Sequence, residues 1–115
     1  MTDRELLELA AKAAGHKIAY WGKPDIYSER SGEVAFVVAV GEWNPLTNDG
    51  DALRLAVKLG LRDYFAIEIQ DTVTQATSMG SWEITMYEDY KNYGPYDATR
   101  RAIVRAAAEI GKGMK

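Results

Sequence analysis

Three amphipathic helix patterns, separated by runs of strand character, most constrain what this chain of 115 residues can fold into. The first pattern predicts a helix over about residues 3–14. Thr2 and Glu5 have the spacing of a capping box, and Gly15 suits the left-handed position that ends a helix. Behind the cap, apolar residues return every three or four positions, as on a helix with one buried side. A chain of this length forms one domain, residues 1–115, so all three helices must share one core.

The other two helices follow a polar loop and a proline. Residues 47–49 offer a side-chain cap for a helix over about 49–59, and Gly60 is expected to end it. The last helix is predicted to start at Gly94-Pro95, because proline is favoured in a first helical turn. Its apolar residues follow helical spacing as far as Gly111, which is expected to be its end.

Four runs of strand character lie between the helices. His16–Trp21 and Glu33–Val40 precede the second helix, and the second of these, EVAFVVAV, is predicted to be a central strand covered on both faces. Tyr64–Val73 and Ser81–Tyr87 alternate apolar and polar residues on either side of a polar loop, 74–80. This alternation predicts an antiparallel hairpin with one face toward water.

The resulting prediction is an α+β domain with the order α-β-β-α-β-β-α and a mostly antiparallel four-stranded sheet. The second and third helices each follow a strand pair, which is the layout of a repeated ββα unit, although the halves share too little sequence to establish a duplication. Trp21, Trp43 and Pro45 are expected to pack into the core. An uncapped sheet edge would also allow a homodimer across a two-fold axis.

Two blocks of the sequence carry a family resemblance. WNPLTNDGDALRLAVKLGL (Trp43–Leu61) and PYDATRRAIVRAAAEIGKGM (Pro95–Met114), together with the leading helix DRELLELAAKAAG, resemble the phage ABA-sandwich domain family of small phage and prophage proteins. The resemblance implies a compact α-β-α sandwich made in an infected bacterial cell, with no established activity. The tyrosine-rich segment before the last helix departs from the family pattern.

Composition excludes several functional classes. Without cysteine there are no disulfides, no thiolate nucleophiles and no cysteine-bound zinc. A net charge of −3 gives no overall basic field for nucleic acid. No apolar run is long enough to cross a bilayer, and the charged first ten residues are unlike a signal peptide, so we expect a cytoplasmic protein. Gly-rich phosphate-binding motifs are also missing.

No group of residues indicates a catalytic or metal centre, so the sequence predicts a protein that is not an enzyme and needs no cofactor. His16, the one histidine, stands beside a helix-ending glycine and is expected to be structural. Asn48–Asp51 has some likeness to a calcium loop, but Pro45 and Ala56 stand where an EF-hand needs ligands. The acids of the hairpin region are expected to lie on a solvated face: Asp63, Glu68, Asp71, Glu83, Glu88 and Asp89.

A tyrosine-rich segment followed by arginines is the best candidate for a binding surface. Four of the seven tyrosines fall within ten residues at a spacing of three. Tyrosine offers a large, fairly rigid contact area with a polar tip. Three arginines, Arg105 included, are expected on the outer side of the last helix, and with two lysines they give residues 95–115 five basic against two acidic side chains. The predicted contact residues are Tyr87, Tyr90, Tyr93, Tyr96, Arg100 and Arg101.

These features favour a non-enzymatic phage accessory protein that acts by binding. One hypothesis is a counter-defence factor that occupies a host protein or sequesters a small anionic signal molecule. The alternative is a nucleic-acid-associated factor that uses the basic last helix. Packing of the tyrosines against the helix ends, and an ordinary solvated arginine face, remain open as the simpler interpretations.

Overall fold

The computed structural model describes residues 1–22, 34–62, 64–79, 83–91 and 94–114. These residues form three helices and two antiparallel three-stranded sheets, with strand orders β1-β2-β3 in the first sheet and β4-β5-β6 in the second. The elements are α1 (Asp3–Ala14), β1 (Ile18–Gly22), β2 (Val34–Val37), β3 (Gly41–Trp43), α2 (Asp49–Arg62), β4 (Tyr64–Ile69), β5 (Val73–Met79), β6 (Glu83–Asp89) and α3 (Gly94–Gly113).

The caps predicted for α1 and α2 are confirmed. Thr2 Oγ1 accepts the Glu5 N–H at 3.1 Å while the Glu5 carboxylate accepts the Thr2 N–H, which completes the capping box of α1. Gly15 ends that helix at φ 75°, in the left-handed region. At the start of α2, Asn48 Oδ1 accepts the Asp51 N–H at 2.9 Å.

The predicted ends of α2 and α3 are wrong. Both helices continue through the glycine expected to stop them, α2 through Gly60 to Arg62 and α3 through Gly111 to Gly113. A side chain at Gly111 would place its Cβ 2.0 Å from the Leu9 carbonyl oxygen of α1. This glycine is therefore required by the close approach of two helices, and it does not terminate one.

The first sheet contains a strand that was predicted as loop. The EVAFVVAV run does supply the central strand, but β2 ends at Val37 and the chain reverses over residues 38–40 into β3. Ala39 has φ 67° and Gly41 has φ 92°, and this pair of left-handed residues makes the reversal. The β-branched composition of this run therefore predicts one strand, although its last part forms a turn.

In the second sheet, the polar stretch predicted as the loop 74–80 is the central strand, β5. Thr74, Ala76 and Ser78 alternate along it and are all buried. Because α3 packs closely over this face of the sheet, only small side chains fit there, so the buried positions are not large and apolar. The Thr74 hydroxyl hydrogen-bonds to the hydroxyls of Tyr90 and Thr99, so its burial leaves no polar group unpaired.

The α+β class is therefore confirmed, whereas the four-stranded sheet and the order α-β-β-α-β-β-α are wrong. Each predicted strand pair is a three-stranded sheet, so the described chain reads α-βββ-α-βββ-α. The single central sheet of the α-β-α sandwich implied by the family resemblance is replaced by two smaller ones. The second sheet has α3 on one face, and on its other face polar residues such as Gln75 and Thr77 remain partly exposed.

The core is built around α1 and α3, which run in the same direction side by side. Asp3 pairs with Arg101 near one end, and the Lys12 ammonium donates to the Met114 carbonyl near the other. The contact is dominated by fully buried alanines, so the helix backbones approach closely. Trp43 and Pro45 are buried as predicted, and Trp21 packs at the core margin.

Candidate binding site

A groove of about 520 Å³ lies where the start of α2, the end of β4 and the start of α3 meet. Its volume is in the range of ligand-binding pockets. Most of its lining is apolar, and three of its side chains are unusually exposed: Leu53 at 62%, Ile69 at 67% and Tyr96 at 74%. The lining residues are Asp49, Ala52, Leu53, Ile67, Ile69, Pro95, Tyr96, Thr99, Arg100 and Ile103.

Arg100 fixes the position of the helices that form the groove. Its Nε donates to the Leu46 carbonyl oxygen at 2.9 Å, and its two terminal nitrogens donate to Asp49 and Asp97. One side chain of α3 thereby holds the loop before α2, the first residue of α2 and the first turn of its own helix. Only 13% of that side chain is exposed, so we assign Arg100 a structural part in shaping the groove.

Arg100 and the charged groups around it therefore sum to one negative charge. The guanidinium of Arg100 contacts two carboxylates. Among the described ion pairs, Asp49 and Asp97 pair with no other cation. An anion entering here would have to displace a carboxylate from Arg100. The chemistry that the groove offers is apolar contact, with Tyr96 as a polar-tipped residue of the lining, whereas the hydroxyl of Thr99 already bonds to Thr74.

The four predicted contact tyrosines do not form one surface. Tyr96 stands in the groove, whereas Tyr87 is 60% exposed on the outward face of β6, the face turned away from α3. Tyr90 is partly buried, and its hydroxyl donates to the Val73 carbonyl oxygen at 3.1 Å and contacts Thr74 Oγ1 at 2.9 Å. These bonds tie the end of β6 to β5, so Tyr90 is part of the fold. Tyr93 lies outside the described residues.

The prediction that the arginines of the last helix lie on its outer side is wrong. All three are only partly exposed and contact other elements. Arg101 pairs with Asp3 of α1 at 3.0 Å, and Arg105 pairs with Glu88 of β6 and donates to the Tyr87 carbonyl oxygen. The excess of basic residues in 95–115 is therefore met by carboxylates from elsewhere in the chain.

A second, more polar cleft of about 330 Å³ lies between α3, the end of β6 and the chain start. It contains Arg101 and Arg105 together with Glu88 and Glu109, so its two cations are accompanied by two anions. The ion pair between Arg105 and Glu88 makes this cleft a junction between α3 and β6.

The side chains singled out for catalysis or metal binding take structural parts. His16 packs edge-on against Trp43, with 5.6 Å between ring centroids, and burial together with the nearby Lys58 lowers its pKa. Asp51 is buried and accepts the Asn44 N–H at 2.9 Å as well as a bond from Arg54. Within the part of the chain that the structure describes, no three acidic or histidine side chains converge to hold a metal ion.

Sequence reasoning missed the apolar members of the groove. Helical spacing predicts that Leu53 shares the apolar stripe of α2, yet it lies about 100° around the helix from the buried Ala52 and is mostly exposed. Alternation predicts that Ile69 lies on the apolar face of its strand, but it is the last residue of β4 and is mostly exposed. A signal was present, since a helix whose apolar residues span more than one stripe has more apolar surface than one core contact needs.

Comparison with protein-family models, with curated protein sequences and with solved structures finds no match for this chain. The phage ABA-sandwich resemblance therefore remains a prediction from its two sequence blocks. None of the helices in the described ranges combines the length and the hydropathy needed to span a bilayer.

Proposed function

We propose that this protein acts by binding, and that its contact site is the groove between α2, β4 and α3. The observation that carries this proposal is the exposure of Leu53, Ile69 and Tyr96 around one apolar depression. Exposed apolar side chains are common singly, but their convergence on a concave surface is typical of an interaction site.

The groove favours an apolar group of a partner protein over an anionic small molecule. A nucleotide-like signal would need a free cation, and the donors of Arg100 already serve Leu46, Asp49 and Asp97. An aliphatic or aromatic side chain needs only the surfaces of Leu53, Ile69 and Tyr96. Tyrosine at the lip supports protein recognition, since it offers contact area at low cost in conformational entropy.

The family resemblance indicates in which cell this binding would take place. We propose a phage accessory protein in the host cytoplasm, without catalytic activity, that occupies a host protein, as a counter-defence factor does. Among the predicted contact residues, Tyr96 is the one that the groove supports directly. Arg100 supports it indirectly, by holding the groove walls together.

The groove can be tested directly with Nile red, a neutral apolar dye whose fluorescence rises on leaving water. We expect the wild-type protein to bind the dye and Leu53→Asp to bind it at least about tenfold more weakly, a loss of about 1.4 kcal/mol. Val38→Asp is the matched control, because Val38 is similarly exposed but lies in the turn of the first sheet. Equal dye binding by all three proteins would reject the groove.

The partner can be sought by co-purification from phage-infected bacterial cells, followed by mass spectrometry. Tagged Tyr96→Ser should lose the partner, whereas Tyr87→Ser should retain it, because Tyr87 lies on the outward face of β6. The opposite result would place the contact on the outward sheet face.

The alternative function, association with nucleic acid through α3, has weaker support. Arg100, Arg101 and Arg105 are each paired with a carboxylate, so phosphate binding would have to break existing ion pairs. A gel shift that disappears steeply as salt rises would support this alternative.

A further inference from the structure

A second apolar surface lies on α2, beside the groove. Leu53, Val57 and Leu61 recur every four residues and form one stripe along the helix, which we call the α2 stripe. Their side chains are exposed by 62%, 52% and 83%. The opposite side of α2, with Leu55 and Leu59, is the one buried in the core. This helix therefore carries an apolar stripe that the described part of the chain leaves uncovered.

Beside the α2 stripe runs β4, the edge strand of the second sheet. The Gln70 N–H donates to the Val73 carbonyl oxygen at 2.9 Å. With the register of the β4–β5 pair, this bond determines which residues of β4 turn their backbone groups toward β5. Alternation along an antiparallel pair then directs the backbone groups of Phe65, Ile67 and Ile69 away from β5, toward an edge that no described strand pairs with. An open strand edge of this kind is a template for pairing with another strand.

The exposed apolar area is what one side of a stable interface needs. The α2 stripe and Ile69, which is 67% exposed, lie on the helix-covered side of the β4 edge, and Tyr64, 58% exposed, lies on the other face of the strand. Because pairing along the edge would bury side chains on both faces, together they present roughly 400 Å² of apolar surface. A standard interface buries about 800 Å² on each partner, of which somewhat more than half is apolar. The two amounts agree closely enough for the β4 edge and the α2 stripe to be the centre of an interface.

We propose that a second copy of this chain covers this face. An antiparallel strand edge is complementary to itself, because a two-fold axis through the strand brings each outward donor opposite an acceptor of the other copy. The helix and the strand move as one unit, since α2 packs on β4 and a Cβ at Gly60 would lie 3.7 Å from the Phe65 Cβ. The axis that pairs the two β4 strands therefore also brings the two α2 stripes together, giving a six-stranded sheet.

The proposed dimer interface shares Leu53 and Ile69 with the groove. Val57, Leu61 and Tyr64 do not line it, so substitutions at Val57 or Leu61 test the interface separately from the binding proposal.

Sedimentation equilibrium of the purified chain over a wide concentration range tests the proposal. We expect the mass to rise from 12.8 kDa toward twice that value. Val57→Lys should remain monomeric, because burial of two ammonium groups across the axis is unfavourable. Val38→Lys should dimerise like the wild type. It is the matched control because the two valines are 52% and 53% exposed but lie on different elements.

Amide hydrogen exchange distinguishes strand pairing from helix contact alone. The outward amide of Ile67 should exchange more slowly as the wild-type protein is concentrated, whereas the amide of Ala66, already bonded to β5, should be protected throughout. In Val57→Lys the Ile67 amide should remain fast. A wild-type chain that stays at 12.8 kDa, a dimer unaffected by Val57→Lys, or an Ile67 amide insensitive to concentration would each overturn the proposal.

Discussion

Replacing Gly111 with alanine tests whether the contact between α1 and α3 is as close as the structure has it. The added Cβ would lie 2.0 Å from the Leu9 carbonyl oxygen and 2.8 Å from its carbonyl carbon. Ordinary contacts of this kind begin near 3.4 Å. The obstacle is helix backbone and cannot rotate aside, so the two helices must separate by more than an ångström.

The expected cost follows from two opposing contributions. Overpacking a close contact typically costs about 1–3 kcal/mol, and here the separation also loosens the packing of buried alanines such as Ala10, Ala107 and Ala108. Alanine in a helix gains up to about 1 kcal/mol over glycine. We therefore expect Gly111→Ala to lower the free energy of unfolding by about 2 kcal/mol, which for a domain of this size lowers Tm by roughly 8–12 °C.

Gly60→Ala is the matched control, since it makes the same change inside α2. There the new Cβ would meet the Phe65 Cβ at 3.7 Å, an ordinary contact, so only the gain in helix propensity remains. This variant should be more stable by about 0.5–1 kcal/mol. Thermal and urea unfolding followed by circular dichroism measure both effects. A Gly111→Ala protein as stable as the wild type would refute the close crossing.

Three further predictions concern single side chains. Burial and Lys58 lower the pKa of His16 in the folded state, so the unfolded chain binds more protons and stability falls as pH drops below about 6.5. Urea titrations at several pH values should show a smaller loss for His16→Gln. Thr74→Val leaves the Thr99 hydroxyl without its partner at 2.8 Å and should cost about 1–3 kcal/mol in urea unfolding, where Thr85→Val on the other sheet face should cost little. Ala39→Gly relieves a φ of 67° and should raise Tm by a few degrees, since the left-handed conformation costs about 1–2 kcal/mol for alanine; an unchanged Tm would contradict the strain.

The helices were predictable because their signals are local. The capping box of Thr2 and Glu5, the cap at Asn48 and the first-turn position of Pro95 each depend on residues within one turn. The ends of α2 and α3 were not predictable from Gly60 and Gly111, because neither glycine stops its helix. Gly60 lies within α2 without a close neighbour, and Gly111 accommodates the backbone of Leu9.

The strands were predicted where large apolar residues alternate and missed where small residues do. In β5 the buried side of the strand consists of Thr74, Ala76 and Ser78, whose small size is dictated by α3 lying above them. The need for small residues comes from a helix much later in the chain, so the sequence of the strand itself does not indicate it. The reversal at Ala39 was missed because its neighbours Val38 and Val40 favour strands.

Part of the candidate site was predictable from the sequence. The tyrosine-rich segment was identified and Tyr96 does stand in the groove, but the partners that hold Tyr90 and Arg100 inside the fold come from other elements. Leu46 and Asp49, which bind Arg100, precede it by some fifty positions. Such contacts are set by tertiary structure and leave no trace in local spacing.

The packing of α1 against α3 also has a consequence for the nascent chain during translation. Asp3 and its partner Arg101 are 98 residues apart, so the alanine face of α1 leaves the ribosome long before the helix that shields it has been made. Until then the nascent chain presents that face to chaperones and proteases. We expect messages truncated before α3 to yield products that are degraded rapidly, since α1 is synthesised well before the helix that covers its alanine face.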